Sequence, residues 1–367
     1  MGELASSTVD MSPGYRPLFP AKPLAILSIQ YLRGVAALMV VWHHAATQVP
    51  GMSMAVPWMF GTSGVDLFFV ISGFIMFTTA SGTDVLPLQF WRRRIVRVVP
   101  LYWALTIVMV IASLCAPSLF KTLKVEPGTL LKSLLFIPHF SLSFPGQLWP
   151  LLVPGWTLNF EMFFYAVFGA ALALPARARL VALTALFLLL PGIGFAFGPF
   201  SSPAAQTYTH PMLLEFLSGI WIAVWWRSSR MKPTFGVSCV LLGGGSILLL
   251  SRDSPAWGYL PQVVGATLVV VAALHERFNT WHSKTCKDLG DSSYSLYLTH
   301  LFTLGALRLV WVKLLPSTPN IWLTLCFMTV ALIACAVVGW LTYQKVELPL
   351  LAVLNEKLTI KPFVGPS

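Results

Sequence analysis

Ten stretches of about twenty mostly apolar residues run through this chain, at 26–46, 63–80, 98–117, 155–174, 178–197, 211–227, 234–250, 258–275, 290–312 and 320–343. A bilayer hydrocarbon core is about 30 Å thick, and about 20 helical residues cross it. In lipid only a helix or a closed barrel satisfies its own backbone hydrogen bonds. Runs of this length therefore predict an all-α fold, a polytopic bundle of about ten transmembrane helices. Composition agrees: of 367 residues 10% are charged and 56% hydrophobic, and mean hydropathy is +0.76. A soluble domain carries about 25% charged residues. So few charges cannot cover a soluble globule, which excludes a soluble enzyme, and so much apolar surface excludes disorder.

The first run is not a cleaved signal, because a polar, Pro-containing tail precedes it and it contains Arg33 and two histidines. Residues 127–138 are too short to span and predict an interfacial or re-entrant segment. No repeat divides the chain. The expected organisation is an N-terminal tail at 1–22, one membrane domain at 23–347 and a C-terminal tail at 348–367.

A net charge of +11 would suggest nucleic acid in a soluble protein. Here its distribution matters more. With the N-terminus inside, 17 of the 24 Lys and Arg residues fall in cytoplasmic segments and 5 in outer loops, Arg33 and Arg308 lying within spans. That asymmetry predicts an even number of helices with both termini cytoplasmic in a multi-pass membrane protein. It accounts for most of the charge with membrane lipids and no nucleic acid as partner. The five cysteines show no metal-ligand spacing and read as small buried hydrophobes, and no metal is expected.

Ionisable residues inside apolar spans are costly and point to function. Arg33 and His44 are eleven positions apart in the first span. At 100° and 1.5 Å per residue they share one face about 16 Å apart, roughly half the hydrocarbon thickness. His43 points elsewhere and reads as interfacial. Asp66 opens the second span at about the level of His44, where it suits either a helix N-terminal acid or a partner for an imidazole; Ser72 lies two turns deeper. Arg92, Arg93, Arg94 and Arg97 crowd one mouth of the bundle, as a phosphate clamp or as an ordinary anchor on anionic lipid. Glu161 and Tyr165 share a face of the fourth span, and Glu215 opens the sixth. Ser293, Tyr297 and His300 form a polar stripe on the ninth, which helix–helix hydrogen bonding alone would also explain.

Taken in order, these residues resemble the membrane-bound acyltransferase family 3, and within it the exopolysaccharide O-acetyltransferase, succinoglycan-acetylase-like branch. The resemblance covers about residues 26–350. It rests on Tyr31-Leu32-Arg33-Gly34 through His43-His44; Gly64-Val65-Asp66-Leu67-Phe68-Phe69 through Ser72-Gly73-Phe74; Arg93-Arg94-Ile95-Val96-Arg97; Trp156-Thr157 with Glu161 and Tyr165; Glu215 with Gly219; Ser293-Tyr294-Ser295-Leu296-Tyr297 with His300; and Val346-Glu347-Leu348-Pro349. The resemblance implies that Arg33 and His44 are the family's essential pair, that Asp66 is its motif acid, and that Arg93, Arg94 and Arg97 are its basic motif. Thr157 stands where relatives often have Ser, and Arg92 is extra.

What the resemblance implies is an O-acyltransferase of the bacterial cytoplasmic (inner) membrane, moving an acyl group, acetyl first among them, from cytoplasmic acyl-CoA to a hydroxyl of a surface polysaccharide or lipid-linked oligosaccharide. His44 would be the general base, Asp66 its support, and Arg33, Arg93, Arg94 and Arg97 the acyl-CoA contacts. Ser72, Trp156, Glu161, Tyr165, Tyr297 and His300 would support them. A polysaccharide or lipid-linked sugar flippase is the competing class, since buried Arg, His, Asp and Glu also suit a transport path; it predicts an inverted repeat, which the sequence does not show. A structural scaffold explains the bundle but not its buried charges.

Overall fold

The computed structural model of the protein describes residues 26–357 apart from 50, 58, 81–84, 119, 121, 229–231, 252–257 and 315–319. Among these residues every regular element is helical. Ten helices have 14 residues or more: α1 (Leu27–Ala46), α2 (Ser63–Ala80), α3 (Pro87–Cys115), α4 (Gly155–Ala171), α5 (Ala176–Phe197), α6 (Leu213–Ser228), α7 (Phe235–Leu250), α8 (Leu260–Ala273), α9 (Ser293–Leu314) and α10 (Ile321–Thr342). One lies over each apolar stretch. The expected tail 1–22 lies outside the described residues, as does 358–367, while Leu348–Lys357 continues as helix.

Five segments, Met59–Ala80, Pro87–Cys115, Ala176–Phe197, Ser293–Lys313 and Ile321–Lys357, are long and apolar enough to cross a membrane. By length and composition these make the chain a multi-pass membrane protein. α7 and α8 are apolar but shorter. α1 has 20 residues, but Gln30, Arg33, His43 and His44 dilute its apolar character. The outward faces carry Val108, Ile111 and Leu114 on α3, Leu188 and Leu189 on α5, and Ile333 and Val337 on α10, all exposed in the isolated chain. Exposed apolar surface on this scale suits lipid. The cysteines follow it: Cys335 is buried, but Cys115, Cys239 and Cys326 are exposed, contrary to their reading as core residues. In lipid, tails replace the core that would otherwise bury them.

α2 is the hub. Its apolar window is 72% buried, against 17% for α5 at the periphery. Small residues allow this: a Cβ on Gly73 would fall 2.1 Å from the Phe216 carbonyl oxygen of α6, and one on Gly64 2.2 Å from that of Ala36 in α1. Without a hydrophobic driving force between helices, such close backbone approach is how membrane helices gain packing. One core cluster joins α2, α3, α4, α6 and α8, and a second joins α1 to α9 and α10. The polar residues gather where the two meet.

The helix Pro127–Leu134 has eight residues and does not span. It folds back against the middle of α3, where Trp103 Nε1 donates to the Leu134 carbonyl at 2.7 Å and Tyr102 Oη to that of Ser133 at 3.2 Å. Trp103 stands ten residues, about 15 Å, along α3 from Arg93. The following segment runs without regular structure to Gly155.

Candidate active site

Five helices contribute to one cavity of about 150 Å³. α1 supplies Arg33, α2 Phe68 and Ser72, α3 Arg94 and Arg97, α4 Thr157, Glu161 and Tyr165, and α9 Ser293, Tyr294 and Tyr297. A pocket for a drug-sized ligand is typically about 300–1,000 Å³, so this space takes a slim chain rather than a nucleotide.

Three guanidinium groups face it, each held differently. Arg33 donates to Gln30 Oε1 at 3.0 Å. Arg97 forms an ion pair with Glu347, whose other carboxylate oxygen accepts from Ser295 Oγ. Arg94 lies 5.5 Å from the Phe90 ring centre and 5.9 Å from that of Tyr165. Its Nε is buried, and Arg94 makes neither hydrogen bond nor ion pair with any described residue. A guanidinium held only by aromatic rings keeps its donor fork for an anion. Glu161 accepts from Ser72 Oγ at 3.2 Å and from the Tyr165 hydroxyl, so the acid between these arginines is engaged along one wall.

Tyr297 stands at the other end of the cavity. Its hydroxyl shares a 2.9 Å hydrogen bond with Thr157 Oγ1 and lies 3.2 Å from the Pro154 carbonyl. Its ring is 6.0 Å from that of Phe68 and 5.9 Å from that of His300. The His300 ring in turn lies 5.0 Å from that of His44. His300 Nδ1 donates to the Tyr297 carbonyl at 2.6 Å, so in the neutral ring Nε2 is a lone pair; it is buried and without a hydrogen bond. A guanidinium-lined mouth, a narrow passage and an imidazole pair thus follow one another through the bundle.

A family model described as an acyltransferase domain matches residues 26–340, most of the chain. The chain belongs to the acyltransferase family 3. It is 37% identical over 299 residues to the exopolysaccharide production protein ExoZ of Rhizobium meliloti, covering 79% of this chain and 90% of that one. It is 24% identical to the acyltransferase MdmB of Streptomyces mycarofaciens, over 95% of this chain and 97% of that one. The peptidoglycan O-acetyltransferase OatA of Listeria monocytogenes is 23% identical over 88% of this chain and 55% of its own length. No solved structure matches the chain.

Within this acyltransferase the expected residues divide. Arg33, Ser72, Arg94, Arg97, Glu161, Tyr165 and Tyr297 line the cavity; Arg93 does not. His44 and His300 pair beyond Tyr297. Asp66 is fully buried, and its Oδ1 accepts from Tyr259 Oη at 2.7 Å. No hydrogen bond joins Asp66 to His44. Trp156 faces a second pocket, with Asn159 and Tyr259. Sequence reasoning missed Tyr259 and gave Glu347 no role. Glu347 had a signal, as an acid in a quoted motif; Tyr259 had none, being one aromatic residue at a span end. Among the described residues no three metal-ligating side chains converge.

Proposed function

We propose that the protein is an integral-membrane O-acyltransferase that moves an acetyl group from cytoplasmic acyl-CoA to a hydroxyl of an exopolysaccharide or other cell-surface glycan. The observation that carries the reading is the order of parts: Arg33, Arg94 and Arg97 on a slim cavity, Tyr297 at its far end, and His44 with His300 beyond. The named activities of ExoZ and OatA favour a glycan acceptor.

In this reading ten helices cross the inner membrane, the membrane domain spans 23–347, both termini are cytoplasmic, and the arginine mouth faces the cytoplasm. The anionic donor cannot cross lipid. Its phosphates rest on the guanidinium forks, with Arg93 adding charge at the rim, and its thin pantetheine arm enters the cavity. Ser72, Glu161 and Tyr165 line the way, and the thioester reaches Tyr297.

His44 then takes the proton from the acceptor hydroxyl as its oxygen attacks the thioester carbonyl carbon. The carbon–sulfur bond breaks, the sulfur leaves as thiolate, and the proton passes from His44 to it. An O-acyl ester and the free thiol result. A neutral imidazole suits this exchange near pH 7. The His300 ring, 5.0 Å away, packs beside the His44 imidazole and orients it by contact. Asp66, buried in the same bundle and held by Tyr259, is the acid that supports this site.

The test is acyl transfer in membrane vesicles holding the full chain, supplied with radiolabelled acetyl-CoA on the cytoplasmic side. Label on glycan is the expected result. Glycan movement that needs no acyl-CoA, with no label transferred, would establish the flippase instead.

A further inference from the structure

A second pocket, of about 410 Å³, opens at the opposite end of the bundle from the arginines. α3 starts at the arginine mouth, so the segment leading from it to α4 lies at the far end, together with the starts of α4, α6 and α8. We infer that this pocket, lined by Trp149, Trp156, Asn159, Gln206, His210 and Tyr259, seats one uncharged sugar ring of the acceptor glycan. The inference rests on the acyltransferase reading above and locates its second substrate.

A pyranose ring offers apolar C–H faces and an edge of hydroxyls. The matching site has aromatic faces for the first and fixed amides and imidazoles for the second. Trp149, Trp156 and Tyr259 provide the faces. Asn159 is 5% exposed and lines the pocket, yet its amide makes no hydrogen bond to any described residue. An amide that reaches the pocket with no protein partner has two donors and an acceptor open to hydroxyls there. Gln206 Nε2 is tied to the Phe200 carbonyl at 2.5 Å, which fixes that amide. His210 Nδ1 accepts from the Met212 backbone N–H at 3.2 Å, which fixes the ring on the pocket wall. None of the described lining residues is Lys, Arg, Asp or Glu.

The backbone supports a wet site. Non-helical backbone within a membrane protein is tolerated where it is buried in protein or lines a water-filled cavity. Gly146, Gln147, Leu148 and Trp149 belong to that irregular segment and line the pocket.

The pocket also lies against the reaction path. The first turns of α4 separate it from the donor cavity, with Trp156, Asn159 and Phe160 on one side and Thr157 and Glu161 on the other. Tyr259, on its wall, donates to Asp66. A sugar seated here is one helix surface from the arriving thioester.

The experiment uses the full chain in vesicles and, as probe, oligosaccharide repeat units from the host's own exopolysaccharide, stripped of ester groups by mild alkali. Trp149→Ala and Asn159→Ala should each raise the acceptor KM at least tenfold and leave the acyl-CoA KM within twofold. Trp149→Phe, which keeps an aromatic face, should recover most of the loss and shows that the loop still folds. An acceptor KM within twofold of wild type in both alanine variants, or a change confined to the acyl-CoA KM, would overturn the site while wild-type transfer continued. Absence of transfer in the wild-type chain would instead overturn the acyltransferase reading itself, and quenching of tryptophan fluorescence by the oligosaccharide, lost in Trp149→Ala, would still establish the pocket.

Discussion

The imidazole rings of His44 on α1 and His300 on α9 lie 5.0 Å apart, inclined at 32°. One of them is already committed: His300 Nδ1 serves the Tyr297 carbonyl, and its Nε2 is a buried lone pair. The other makes no side-chain hydrogen bond to a described residue. In a dry bundle a lone pair without a donor costs about 1–3 kcal/mol. The two rings are therefore held unequally, and in the proposed reaction His44 takes the substrate proton while His300 orients it.

Replacing the open member should remove chemistry and leave structure. General-base catalysis contributes typically about 10²–10⁴-fold, so His44→Ala is expected to lower kcat by that range. Because no protein hydrogen bond is lost, the amount inserted in membranes should match wild type on immunoblots. Acylation of glycan near the normal level would remove His44 from the base role.

For His300 the expected loss is smaller and of a different kind. His300→Ala should reduce kcat by about tenfold, with the acyl-CoA KM within twofold, because it orients a base rather than taking the substrate proton. His300→Gln retains an acceptor and should recover part of the rate. Recovery separates an orienting group from a merely space-filling one, for which Gln and Ala would be equally poor.

In the proposed reaction the arginines act on the donor. Arg94→Gln with Arg97→Gln should raise the acyl-CoA KM by more than tenfold, about 1.4 kcal/mol or more, and leave the acceptor KM unchanged. Charge-assisted forks to phosphate are the stronger hydrogen bonds in a protein. Initial rates at varied acyl-CoA measure this directly. A shift in the acceptor KM alone would show that the guanidinium groups are not the donor clamp.

The order of helices and most cavity residues are legible in the sequence because the physics is local. Each span needs about twenty apolar residues, and Arg33, Ser72, Glu161 and Tyr165 stand out as polar residues inside such spans. Polarity also hides a helix: α1 reads weakly as a span because it carries the polar residues of the site. Pairings are illegible for a different reason. Asp66 meets Tyr259 across 193 positions and Arg97 meets Glu347 across 250, and no periodicity links residues on separate helices. Sequence level placed Asp66 beside His44 by depth alone; packing of α2 against α8 gave it a tyrosine.

The Arg97–Glu347 pair supplies the last prediction. The chain ends α10 in a π turn, Tyr343–Glu347, whose wider winding precedes the helix Leu348–Lys357. Such turns are rare and concentrate at functional sites. Here the turn delivers a carboxylate whose side chain is 2% exposed to a guanidinium that is 30% exposed and also faces the donor cavity. Removing one partner of a buried pair strands the other charge and costs about 3–5 kcal/mol, whereas replacing both by apolar groups of similar size is often neutral. Glu347→Leu should therefore lower the unfolding midpoint of the detergent-solubilised protein. Adding Arg97→Met should restore most of that stability while donor binding stays impaired. The double variant separates the two duties of Arg97, since stability needs only that no charge be stranded, but the donor needs the guanidinium itself. If the two substitutions were additive in stability, the pair would not be coupled, and Glu347 would not be what holds Arg97 at the cavity.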